Sequence, residues 1–153
     1  MQDSSNKNII LKNAHELRMV IVKSSYHSEI TNAMYQDAIQ TLKSRGIEEI
    51  ETIEVSGGYE LVYGSQVAIR SFESVSGIIT LGCVIKGATD HDVYINQAVA
   101  NGLIDLQIKT NIPIGFGLLT VNNKEQALER TFGPKGQKGK EVTEAVLQSI
   151  SLS

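Results

Sequence analysis

Short apolar runs alternate with stretches of helical periodicity along this chain. Residues 19–22, 50–55, 77–84 and 112–119 read as strands; Ile78, Ile79, Leu81 and Val84 of the third, with Ile85 just after it, make an apolar run rich in β-branched residues, as in a strand covered on both faces. Pro113 is tolerable near the start of the fourth strand. Between the first two strands Ile30, Met34, Ala38 and Leu42 recur four apart, which predicts an amphipathic helix over residues 31–44 that ends near Gly46. Ile95, Val99, Leu103 and Leu106 place an apolar stripe on a helix over residues 92–110, and residues 61–72 read as a helix despite Gly64 inside it. Two last helices, 124–130 and 139–150, flank a turn around Gly133 and Pro134. Four βα units result, so the expected architecture is a three-layer α/β/α sandwich around a four-stranded parallel sheet.

In such sheets ligands bind beyond the carboxyl ends of the strands. The residues there are Ser24, Ser25, Tyr26 and His27 after the first strand, Gly57, Gly58, Tyr59 and Glu60 after the second, and Lys86 to His91 after the third; the segment after the fourth leads to Arg130. Gly87, Ala88 and Thr89 offer small side chains and free backbone N–H groups where a helix begins, which suits a phosphate. An aromatic face, a carboxylate, an anion loop, a histidine and an arginine together describe a site for a flat polar heterocycle with a phosphorylated partner.

Composition narrows the classes. At 153 residues the chain is one ordinary domain, spanning 1–153, with no repeats or linkers. Its net charge of −3 and the absence of a basic stripe argue against nucleic acid, and Lys135, Lys138 and Lys140 read as a solvated face. Cys83 stands alone and reads as a small buried hydrophobe. MQDSSNKN lacks the apolar stretch of a signal peptide, so no membrane is implied and a cytoplasmic protein is expected, with residues 1–15 flexible or pinned by a neighbouring subunit.

The segment LGCVIKGATDH, Leu81 to His91, contains GCVIKGATDH, which resembles the GxVIRGxTxH fingerprint of the lumazine synthase family. SGGYE, Ser56 to Glu60, resembles the family's PGAFE, and IPIGFGLLT, Ile112 to Thr120, its VPVIFGVLT. EQALER, Glu125 to Arg130, and GQKG, Gly136 to Gly139, also match in order, and the register holds over residues 20–150. Ordered motifs of this kind are far more specific than any one alone.

The resemblance implies a flavodoxin-like strand order and a cofactor-free condensation of 5-amino-6-ribitylaminouracil with 3,4-dihydroxy-2-butanone 4-phosphate, giving 6,7-dimethyl-8-ribityllumazine, phosphate and water in riboflavin biosynthesis. It gives His91 the family's proton-transfer position, where an imidazole suits chemistry near neutral pH. Asp90 and Asp92 flank it, and a carboxylate close in space would favour its charged form. Arg130 matches the arginine that grips the phosphate, with Ala88 and Thr89 completing that pocket and Lys138 near it. Tyr26 falls where an aromatic ring covers the pyrimidine, Gly58, Tyr59 and Glu60 where the ribityl chain is held, and Cys83, Val84 and Ile85 where backbone groups meet the pyrimidine. Phe116 matches a residue of the adjacent subunit that closes the site. Family members assemble at least as pentamers, some as paired pentamers or sixty-subunit shells. No metal is implied.

Each assignment has a plainer rival. His91 could be a helix cap, Arg130 could complement a helix dipole for about 0.3–1 kcal/mol, and Glu60 could be a favourable first-turn acid. Tyr26 and Phe116 could be core or interface aromatics, and His15 keeps the plain reading. The chain also departs from the family: Ser25 and His27 flank Tyr26 where arginine and asparagine are common, Ser56 and Gly58 replace proline and alanine, Lys86 replaces arginine, and Gln97 and Ala98 stand where asparagine and glutamate are usual. The departures around Tyr26 leave one alternative to an active enzyme, a relative that binds flavin or lumazine with weakened catalysis, and the family's assembly habit leaves a second, a mainly structural shell-forming protein.

Overall fold

The computed structural model describes residues 11–133 and 136–153; the expectations for the first ten residues, Pro134 and Lys135 lie outside it. In chain order the elements are β1 (Arg18–Ser24), α1 (Ser28–Ser44), β2 (Glu49–Val55), α2 (Leu61–Ser71), β3 (Val75–Ile85), α3 (His91–Thr110), β4 (Ile114–Gly115), β5 (Leu118–Val121), α4 (Lys124–Thr131) and α5 (Lys138–Ile150). Every pairing is parallel, in the order β2-β1-β3-β4, with β5 also on β3. The predicted α/β sandwich is present.

Alternation along β1 builds both halves of the core. Met19 and Ile21 pack with Ile30, Met34, Ala38 and Leu42 of α1 and with Val142, Val146 and Leu147 of α5. Val20 and Val22 pack on the opposite face with Leu61 and Ala68 of α2 and Val99 and Leu103 of α3. All four β1 side chains are fully buried, and burial of each stabilises by about 1.5–3 kcal/mol. Gly64 sits inside α2 because a Cβ there would stand 2.6 Å from Val22 Cγ1 and 2.7 Å from Val55 Cγ1, so the glycine lets the helix settle onto the sheet. Leu11, Ala14 and Leu17 pack against the α1 side of the core.

The predicted fourth strand is interrupted. Ile79 pairs with Gly115 and Gly82 with Leu118, so the register is the same on either side of Phe116 and Gly117. Between them the buried Thr80 hydroxyl enters the ladder, donating to the Gly115 carbonyl and accepting the Gly117 N–H at 3.3 Å, while the Gly82 N–H donates to the Gly117 carbonyl at 3.0 Å. Only glycine fits at 117, where a Cβ would run into the Thr80 carbonyl oxygen. Among the described residues no helix is long and apolar enough to cross a membrane.

Candidate active site

A cleft of about 740 Å³ opens at the carboxyl ends of β1, β2 and β3. The turn after β1 contributes Tyr26 and His27, and its position is set by backbone bonds to the β2 end: Ser25 N–H donates to the Val55 carbonyl at 2.8 Å and Tyr26 N–H to the Ser56 carbonyl at 3.1 Å. The turn into α2 contributes Gly57, Gly58, Tyr59 and Glu60. Glu60 folds back there, so that its Oε2 would lie 3.3 Å from a Cβ on Gly57, and Tyr59 is 64% exposed. Cys83, Val84 and Ile85 at the end of β3 form one wall, and His91 and Ile95 on α3 the other.

The electrostatics separate the titratable groups. Burial pushes the Cys83 thiol up to about 11, so at neutral pH it is an uncharged apolar wall. Burial, helped by the nearby Lys124 ammonium, holds the His27 imidazole below its usual range. Lys124 is itself paired with Glu29 at 3.0 Å. His91 opens α3 and is exposed, and among the described residues it forms no ion pair with Asp90 or Asp92. Asp92 instead turns inward, 7% exposed, with its Oδ1 lacking a hydrogen-bond partner among the described residues. No group of metal-ligating side chains occurs among the described residues.

The sequence-derived residues therefore divide. Tyr26, Gly58, Tyr59, Glu60, Cys83, Val84, Ile85 and His91 share one cleft. Ala88 and Thr89 are exposed on the loop that joins its β3 wall to its α3 wall, a loop anchored by the Lys86 N–H donating to the Val121 carbonyl at 2.7 Å. Phe116, Arg130 and Lys138 do not line this chain's cleft. Phe116 is 42% exposed at the interruption beside β4, an edge strand; Arg130 is exposed in the last turn of α4; Lys138 starts α5 and pairs with Glu141 at 3.7 Å. His27, Gly57 and Ile95 line the cleft without having been assigned a role. The first two lie in the turns after β1 and β2, and Ile95 lies one turn beyond His91, a signal the spacing carried. A second cavity, about 440 Å³ between α1 and α5, has polar and charged walls without an aromatic ring or histidine.

A cleft over the carboxyl edge of a parallel sheet, with aromatic, carboxylate, imidazole and small-residue turns converging on it, defines a small-molecule site of the open α/β class. The model of the 6,7-dimethyl-8-ribityllumazine synthase family matches residues 16–153. A 6,7-dimethyl-8-ribityllumazine synthase of Rhodopirellula baltica is 42% identical over 137 residues, 88% of each chain. One of Christiangramia forsetii is 37% identical over 150 residues, 97% of this chain and 87% of the relative, and one of Renibacterium salmoninarum 36% over 145 residues, 90% and 89%. The chain belongs to the 6,7-dimethyl-8-ribityllumazine synthase family.

Proposed function

We propose that the protein condenses 5-amino-6-ribitylaminouracil with 3,4-dihydroxy-2-butanone 4-phosphate to give 6,7-dimethyl-8-ribityllumazine, phosphate and water. The observation that carries this reading is the convergence of Tyr26, the Gly58–Glu60 turn, the Cys83–Ile85 strand end and His91 on one cleft in a chain of this family. Tyr26 presents a ring face to the pyrimidine, the backbone of Cys83 to Ile85 meets its polar edge, and Glu60 accepts from ribityl hydroxyls. The amine of the pyrimidine adds to the ketone and an imine forms with loss of water. Elimination of phosphate and ring closure with a second loss of water follow. His91 moves protons in these steps, and the Ala88–Thr89 loop receives the phosphate.

The reading includes a homo-oligomer, at least a pentamer, with sites between subunits. Phe116, Arg130 and Lys138 lie outside their own chain's cleft and would close a neighbour's, Arg130 and Lys138 gripping the phosphate. The outer face of α3 supports association: Tyr94, Ile104 and Ile108 are 68%, 56% and 74% exposed. A cytoplasmic location accompanies this function. Steady-state formation of the lumazine, followed by its absorbance with His91→Ala beside the wild type, tests the reading. Turnover well above the uncatalysed rate and about 10²–10⁴-fold lower in the variant is expected. No acceleration by folded, assembled protein would overturn it.

A further inference from the structure

His27 has a backbone conformation that few side chains adopt. It lies in the left-handed region at φ 56°, ψ 50°, immediately before α1, and its side chain makes no cap bond to that helix. The first turn of α1 fixes it there: the His27 carbonyl accepts from the Ile30 N–H at 3.0 Å, the Thr31 N–H at 3.1 Å and the Thr31 hydroxyl at 3.4 Å. Such a conformation persists where the surroundings over-determine it, and at a cleft wall it points to function.

The side chain is turned onto its neighbour. The His27 and Tyr26 rings stand 4.3 Å apart between centroids, inclined at 56°, an attractive geometry for aromatic pairs. Tyr26 is 67% exposed, and His27 is the aromatic ring against it among the described residues. Both rings line the active cleft, and both also form the wall between it and a smaller cavity, about 420 Å³, that holds Lys124 and Glu29. Burial first, and the Lys124 ammonium second, hold this imidazole below its usual range.

We propose that His27 is a positioning residue: its ring backs Tyr26 and fixes the plane against which the pyrimidine of the substrate lies. The proposal rests on the reaction assigned above and refines its first binding step. His27→Gly is the decisive substitution, because glycine tolerates the left-handed backbone and removes the ring without supplying the polar side chain of the asparagine common in the family at this position. It raises KM for the ribitylaminouracil about three- to tenfold with kcat within about twofold, the scale of a lost aromatic pair. His27→Phe, which keeps a ring, retains more of the affinity. In a Tyr26→Ala background, His27→Gly adds nothing further, because its effect passes through Tyr26. Fluorescence titration with the lumazine product reads the same contrast without turnover. An unchanged KM and product affinity in His27→Gly, or an equal loss in the Tyr26→Ala background, would overturn the positioning role while wild-type turnover left the reaction standing. Absence of wild-type turnover and of product binding would overturn both.

Discussion

The Leu118 side chain occupies the space that a methyl group on Gly58 would need: a Cβ at residue 58 would stand 2.9 Å from Leu118 Cδ1. Glycine replaces the family's alanine at 58, and leucine replaces the valine of its VPVIFGVLT segment at 118. The two departures thus exchange volume across one contact at the base of the cleft. Gly58→Ala alone is expected to destabilise by about 1 kcal/mol, overpacking outweighing the smaller entropy of the unfolded chain. Combined with Leu118→Val, which supplies the missing space, the penalty should largely disappear. Urea midpoints of the single and double variants measure this coupling, and additive losses would show that the contact is not responsible.

This pair also marks the boundary of what the sequence conveys. The parallel sheet was legible because β1 buries both faces, so Met19 to Val22 reads as a continuous apolar run, and α1 because its stripe recurs every fourth residue. The interruption at Phe116 and Gly117 was not, since it depends on a Thr80 hydroxyl more than thirty residues away in the chain. The cleft residues that follow strands were legible for the same topological reason. Neither the inward turn of Asp92 nor the ring of His27 against Tyr26 follows from spacing; each is set by side-chain packing.

The wall thiol should be chemically quiet. Cys83 is 3% exposed and its thiol is pushed up to about 11, against 9.0 for the free group. At pH 8 the thiolate fraction is then about a hundredfold lower than in the unfolded chain. Alkylation by iodoacetamide at that pH should be at least that much slower in the native protein than in urea. Comparable rates in both would mean that Cys83 is ionised and reachable from the cleft.

Asp37 is expected to cost stability near neutral pH. Its Oδ2 is buried without a hydrogen-bond partner among the described residues, and burial raises its pKa above 3.8, against the opposing effect of Lys140. Between 3.8 and the raised value the folded state binds more protons than the unfolded one, so this group's contribution to stability falls as pH rises through that window. Asp37→Asn removes the charge and should stabilise at pH 7 by up to about 1 kcal/mol. Denaturation at pH 7 and pH 4 checks the sign: the advantage of the variant must shrink at the lower pH.

The proposed division of the site between chains makes a stoichiometric prediction. If His91 serves a cleft in its own chain while Arg130 reaches a neighbour's, a site needs one intact residue from each of two subunits. Arg130→Ala alone should raise KM for the phosphorylated ketone by about ten- to a hundredfold, the scale of a lost charge-assisted hydrogen bond to phosphate. His91→Ala alone should abolish most turnover. When the two variants are unfolded together and refolded at equal concentration, random placement around a closed ring pairs an intact His91 with an intact Arg130 at about a quarter of the interfaces. Activity at low ketone concentration should therefore rise well above that of either variant refolded alone, in proportion to that fraction. If both residues acted within one chain, no mixed assembly could contain an intact site, and activity would stay at the average of the two variants. Refolding each variant separately and mixing afterwards distinguishes exchange of subunits from simple addition, and sedimentation of the same samples reports whether the ring itself has formed.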